Sequence, residues 1–240
     1  MRTRIRHGLA AALTVSALSL VAACGGSGDA KDTKDKAADK PAAGQTSAAP
    51  APATPLTAAQ MKAGILVLKD LPSGWKDTTA KPSTDVYKAD KPECQPFADV
   101  MGDEIAGATR GASVDFTVGE SESELSEEIV TFAGTGAADF TKKVGTALDS
   151  CTEFTVEIEG NKMKSSVKKI TAPQGVEEAH AFTLSMEVAP GIKIEPSLVV
   201  ARQGTGVLRF LHLADAATAK KDFDALAKLA TDKFVKGAQS

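Results

Sequence analysis

The chain has 240 residues, 25% of them charged and 42% hydrophobic, with a formal net charge of −3. Weak acidity spread along the chain argues against nucleic acid as a partner. One long apolar run occurs, near the start, so no membrane-spanning segment is expected after it.

That first stretch has the three-part form of an export signal. Arg2, Arg4 and Arg6 give a cationic start that stays on the cytoplasmic side. Residues 9–21 are apolar but too few for a comfortable span. The run ends in Leu20-Val21-Ala22-Ala23-Cys24, which resembles the lipobox of bacterial lipoproteins. In that family the cysteine thiol is alkylated with diacylglycerol and the chain is cut just before it, here between Ala23 and Cys24. The resemblance implies a signal peptide at 1–23, a lipidated Cys24, and a place on the outer face of the cytoplasmic membrane. The membrane is then a partner through a fatty-acyl (palmitate-type) anchor. An ordinary cleaved signal with a chance cysteine is the alternative. A second acyl chain makes retention stable where one is marginal.

Residues 24–55 read as a disordered tether. From Gly25 to Pro55 no aliphatic residue exceeds alanine, so nothing there can form a core. Flexible-chain scaling gives a span of about 30 Å.

A single α+β domain is expected over 56–240. Thr57 and Gln60 match a capping box for a short helix reaching about Leu68. Pro72-Ser73-Gly74 is a turn that delivers Trp75, read as a core anchor. Asp90 and Glu93 suggest a second capping box, with Cys94, Phe97 and Val100 or Met101 on the inner face. Ala112, Val114, Phe116 and Val118 alternate with polar residues as a half-buried strand, and 125–133 is a second. Glu120, Glu122, Glu124, Glu127 and Glu128 lack the offsets and turn glycine of a calcium loop, so they read as a solvated acidic connection. Phe140, Val144, Ala147 and Leu148 give a helix over 135–150 one apolar face.

Taking Gly160-Asn161 as a two-residue turn, the next hairpin pairs Ile158 with Met163 and Glu157 with Lys164. Turns at Ala189-Pro190-Gly191 and Gly204-Thr205 continue a meander of strands over 180–188, 192–202 and 207–213. Pro196 implies a bulge or an edge. Asp215 caps a last helix with an inner stripe of Phe223, Leu226, Ala230 and Phe234, and Gly237 ends it. The expected fold is a mainly antiparallel sheet of about seven strands, with helices on one face.

Cys94 and Cys151 are an even pair in an exported chain, read as a disulfide or as two buried thiols, with the compartment favouring the disulfide. A zinc site is a poor reading, because no CxxC occurs and only His180 and His212 follow the signal. No hydrolase elbow, P-loop, metalloprotease or dinucleotide motif is present. His212, Ser197 and Thr183 fall on adjacent strands of one face, the only pairing of a nucleophile with a base. No catalytic residue, metal site or cofactor is assigned.

The layout resembles a group of actinobacterial surface lipoproteins with a sensor-like domain. The cues are the lipobox and tether, the Asp70-Leu71-Pro72-Ser73-Gly74-Trp75 segment, two cysteines at two helices, a run of strands and a C-terminal helix. It is distantly similar to the extracellular sensor domain of mycobacterial membrane serine/threonine kinases. That domain is an antiparallel sheet packed by helices, with a cleft and usually two disulfides, whereas this chain can form one. The first reading is a lipid-anchored, extracytoplasmic binding or sensing lipoprotein, expected to be monomeric and non-enzymatic, for a small-molecule, lipid, cell-wall or protein ligand that the sequence does not identify. A carrier of an apolar molecule is the alternative, and a surface hydrolase acting through His212 a third.

Overall fold

The computed structural model describes residues 54–78, 85–119, 123–158, 160–214 and 219–240. The signal segment, Cys24 and nearly all of the expected tether lie outside the described residues, as do Glu120, Glu122, Glu159 and Asp215.

Four α-helices are described: α1 (Ala58–Gly64), α2 (Gln95–Met101), α3 (Gly136–Ser150) and α4 (Ala219–Ala238). The capping box at α1 is formed: Thr57 Oγ1 accepts the Gln60 N–H, and Gln60 Oε1 accepts the Thr57 N–H at 2.9 Å. The helix is shorter than expected, because Ile65 is already extended and a separate 3-10 turn occupies Leu68–Asp70. The expected box at Asp90 and Glu93 is absent. Asp90 instead uses its carboxylate to accept the Thr155 N–H at 2.8 Å, and Lys91 precedes the 3-10 turn Pro92–Cys94 that leads into α2. Gly237 lies inside α4 rather than ending it.

Among the described residues the sheet has ten strands, all paired antiparallel: β1 (Trp75–Thr78), β2 (Lys88–Ala89), β3 (Ala108–Val118), β4 (Ser123–Phe132), β5 (Glu153–Ile158), β6 (Asn161–Ile170), β7 (Glu178–Ala189), β8 (Ile192–Ile194), β9 (Ser197–Gln203) and β10 (Gly206–Ala214). Their order is β1-β3-β4-β10-β9-β7-β6-β5-β2, with β8 beside β7. The sequence showed about seven. Two of the additions, β1 and β2, are short edge strands of mostly exposed residues with no alternation to read. The third comes from Pro196, which has no N–H to give the ladder. It splits the expected 192–202 strand into β8 and β9, yet both halves keep one register on β7, with Glu187 opposite Lys193 and Thr183 opposite Ser197.

The β5–β6 hairpin turns two residues earlier in its pairing than expected. Ile158 faces Asn161, Val156 faces Met163 and Glu157 faces Lys162, with Gly160 at φ +79° in the turn. A shift by two preserves which side chains share a face. It replaces most of the expected cross-strand charge pairs, and Glu157 meets Lys88 of β2 on its other side.

Helices cover both faces of the sheet, where one was expected. On one side α2 and α3 pack on Val130, Phe132, Phe182, Leu184, Val200 and Val207. On the other, α1 and α4 pack on Leu125, Ile129, Ala181, Val199, Ala201 and Leu208. Central strands are therefore buried twice over. In β7 the second buried set is alanine, too small to register as an apolar face. The expected inner stripe of α4 is found: Phe223, Leu226, Ala230 and Phe234 are all buried. Trp75 is half-buried at the edge of the same cluster, as an anchor under its turn.

Candidate functional site

The apolar cover on the α2 and α3 side is incomplete. Over the β1–β3–β4–β10 corner the sheet turns polar: Ser113 and Asp115 on β3 stand opposite Glu128 and Ser126 on β4. Among the described residues no helix lies over them. Together with Met101, Gly102 and Asp103 at the end of α2, they line a cleft of about 570 Å3 that also takes in Asp77 and Thr78 of β1. Leu198 and Leu211 supply its apolar wall.

The cleft floor is an ion network. Glu128 is the centre: Oε1 accepts from Arg110 Nε at 2.7 Å, and Oε2 is paired with the Nη2 of Arg209, its neighbour across the β4–β10 ladder. Arg209 Nη1 donates to the carbonyls of Val100 at 3.0 Å, Asp99 at 3.3 Å and Gly102. Those are the carbonyls left unsatisfied at the end of α2, so Arg209 caps that helix from a strand. Burial pushes the Arg209 guanidinium down to about 10, with the Arg110 cation adding to the effect. It stays charged at neutral pH. Arginine suits this role because its planar fork addresses a carboxylate and a carbonyl cluster together.

The start of α2 is held as firmly. Cys94, immediately before the helix, forms a disulfide with Cys151, immediately after α3, at a Cα–Cα distance of 5.5 Å. Both cysteines are buried. The expected pairing is present, and it fixes one end of the helix whose other end forms the cleft wall.

Glu127 and Glu128 overturn the expectation of a solvated acidic connection. They are 1% and 7% exposed and lie in mid-strand, on opposite faces of β4. Charge density alone misled, because a strand buried on both faces leaves no alternation to separate it from a loop. The one available signal was Ile129, Val130 and Phe132 following at once.

The expected row of His212, Ser197 and Thr183 exists: His212 faces Ser197, and Ser197 faces Thr183. The imidazole does not engage Ser197. Its Nε2 meets Ser123 Oγ at 2.7 Å, a partner the sequence reading did not consider. The ring is buried between Trp75 and Phe223, each with its centroid 6.4 Å away. Burial holds its pKa below the ordinary histidine value, with Asp222 opposing weakly. Nδ1 has no hydrogen-bond partner among the described residues. The imidazole is thus held by Ser123 and the aromatic rings, without the carboxylate on Nδ1 that orients the base of a catalytic triad, among the described residues. Among the described residues no group of three or more His, Cys, Asp or Glu could hold a metal ion.

No family model matches this chain, and no curated protein matches it in sequence. In fold it is similar to the crystal structure of the extracellular domain of PknH from Mycobacterium tuberculosis. The two share 13% identity and a TM-score of 0.53, covering 78% of this chain and 98% of that one. A weaker likeness joins it to an uncharacterised protein of Mycobacterium smegmatis, the Rv0999 ortholog, at 11% identity and a TM-score of 0.45, covering 77% and 98%. The similarity to the mycobacterial sensor domain read from the sequence therefore holds as a distant likeness of fold.

Proposed function

We propose that this chain is a lipid-anchored, extracytoplasmic binding or sensing module, and that the cleft beside α2 receives a polar ligand. One observation carries the second half. Among the described residues, the corner of the sheet that no helix covers is hydroxyl- and carboxylate-lined, and it is backed by the largely buried Glu128–Arg209 pair, which costs desolvation to assemble, with the exposed Arg110 closing the network at its rim. Pockets with a few fixed polar groups on a rigid scaffold are the usual form of a ligand site. The likeness to an extracellular domain supports the proposed location, as does the lipobox-like stretch ending at Cys24.

The test is a thermal-shift comparison of the full chain with Ser126→Trp, which fills the cleft, against disaccharides, dipeptides and inositol phosphates. Stabilisation by one class, lost in Ser126→Trp, supports the reading. Stabilisation unaffected by the substitution places the ligand elsewhere and sinks it. The anchor has its own test: labelled palmitate should enter the wild-type chain and not Cys24→Ala, and an unlabelled wild-type chain refutes it.

A carrier of apolar molecules is the weaker reading. The aromatic residues such a cavity would need are spent on one another, with Phe97 5.0 Å from Phe182 and 6.0 Å from Phe154 between ring centroids. Lipid retained through purification, seen by native mass spectrometry, would reverse that preference. The hydrolase reading draws on the Ser123–His212 contact alone, and loss of biological activity in Ser123→Ala would revive it.

A further inference from the structure

Glu127 takes no part in the cleft, and its environment is unlike that of any other described carboxylate. Its side chain is buried against α1, α4 and the segment joining α1 to β1. Oε2 accepts the Leu66 N–H at 2.9 Å, while Oε1 is buried with no hydrogen-bond partner. The ladder places Val114 of β3 on one side of it and Phe210 of β10 on the other, neither titratable. From α1 the inward residues are Met61 and Gly64. Two charged groups face it: Lys233 from α4 and Asp70 from the 3-10 turn, themselves paired. Lys69, beside Asp70, is exposed.

We propose that protonated Glu127 is a pH-sensitive latch: it seats residues 65–71 on the sheet, and its ionisation releases them together with the edge strand β1. The chain path makes the connection. Leu66 is the residue Glu127 holds, the 3-10 turn Leu68–Asp70 follows, and a few residues later Trp75 opens β1. Among the described residues β1 is hydrogen-bonded on one side only, to β3, and Trp75 is the side chain that anchors it in the core. A neutral carboxyl keeps the Leu66 N–H bond at Oε2 and leaves only an uncharged O–H without an acceptor among the described residues. A carboxylate in the same place would leave a buried anion with one oxygen bare, which is costly. Moving 65–71 aside lets water reach it. Burial pushes Glu127 up to about 8, against the pull of the Leu66 N–H and Lys233, so the latch is closed at neutral pH and opens in mild alkali. Because β1 supplies Asp77 and Thr78 to the cleft, opening would also unmake one cleft wall. That last step rests on the cleft reading, whereas the latch does not.

Trp75 is the only tryptophan, so its emission in the full chain reports on β1 directly. Emission and hydrogen exchange at the Leu66 amide are followed from pH 6 to 10. The expected result is one transition near pH 8 in the wild type, with Leu66 protection falling at least tenfold beyond the intrinsic base-catalysed rise. Glu127→Gln, which keeps the acceptor for Leu66, should show no transition. Lys233→Met should move the midpoint up and Asp70→Asn should move it down, which keeps the test alive if Glu127→Gln fails to fold. An unchanged transition in Glu127→Gln, no transition in the wild type, or midpoints that ignore both neighbours would each overturn the proposal. A transition that leaves Ser126-dependent ligand stabilisation intact would confirm the latch and break only its link to the cleft.

Discussion

Replacing Gly237 with alanine opposes two effects of known size. Gly237 sits inside α4, where α1 crosses it. A Cβ added there would meet the Cα and N of Gly64 at 2.3 Å and the carbonyl oxygen of Gln60 at 2.8 Å. By helix propensity alone, Gly237→Ala should stabilise α4 by about 1 kcal/mol. The clash is with backbone, which cannot rotate away, so α1 must back off by about an ångström to reach ordinary contact distance. Overpacking of this kind costs about 1–3 kcal/mol, occasionally more. The displacement would also pull Gln60 Nε2 from the carbonyls of Ala238 at 3.1 Å and Ser240 at 3.2 Å, which it reaches from α1. Each lost bond adds roughly 1 kcal/mol. We expect a net destabilisation of about 3 kcal/mol, or a melting temperature lower by about 6–12 °C for a domain of this size. Urea titration followed by Trp75 emission measures it. Gly145→Ala is the control, since its Cβ would meet only the His180 ring, at 2.7 Å, which can swing aside. Equal or higher stability in Gly237→Ala would refute the close crossing of α1 and α4.

Three further outcomes are expected. Replacing Cys94 and Cys151 together with alanine should cost about 4 kcal/mol by the chain-entropy model, given their separation of 57 residues; a loss under 1 kcal/mol in urea unfolding would show the bridge to be idle. Arg209→Met should cost about 1–3 kcal/mol, because it bares Glu128 Oε2 and the α2 carbonyls while Arg110 still holds Oε1, and adding Glu128→Gln should recover part of it; strict additivity in a double-mutant cycle would deny the pair. Stability should also depend on pH through Glu127. The folded chain holds this proton to about 8 and the unfolded chain to the ordinary 4.5. Between those values the unfolded state binds fewer protons, so stability falls as pH rises through the window and levels off above it. Against Glu127→Gln, the wild type should lose on the order of 3–5 kcal/mol across that range; parallel stability curves would contradict it.

Much of the fold was legible because its signals are local. The α1 cap, the inner stripes of α3 and α4 and the turn at Gly204 each occupy a few consecutive residues. The hairpin at Gly160 shows the limit: alternation fixes faces, but a pairing shifted by two residues satisfies it equally, and only neighbouring strands choose. The site was less legible. Cys94 and Cys151 could be paired because no other pair remained. Arg110, Glu128 and Arg209 come from three strands, and nothing in the spacing of 110, 128 and 209 foretells that one carboxylate will serve two guanidiniums. His212 was placed on the correct row, but its partner came from the far end of β4, since Ser123 reaches it diagonally rather than from the directly opposed position.

A helix of seven residues has too few internal bonds to persist by itself. α2 endures because a covalent bridge grips the residue just before it and a guanidinium its last carbonyls. A wall clamped at both extremities cannot swing. Whatever enters beside it meets a preformed contour, so discrimination would come from fit already in place rather than from closure around the guest. Any give must come from the opposite bank, where a four-residue strand has, among the described residues, one neighbour.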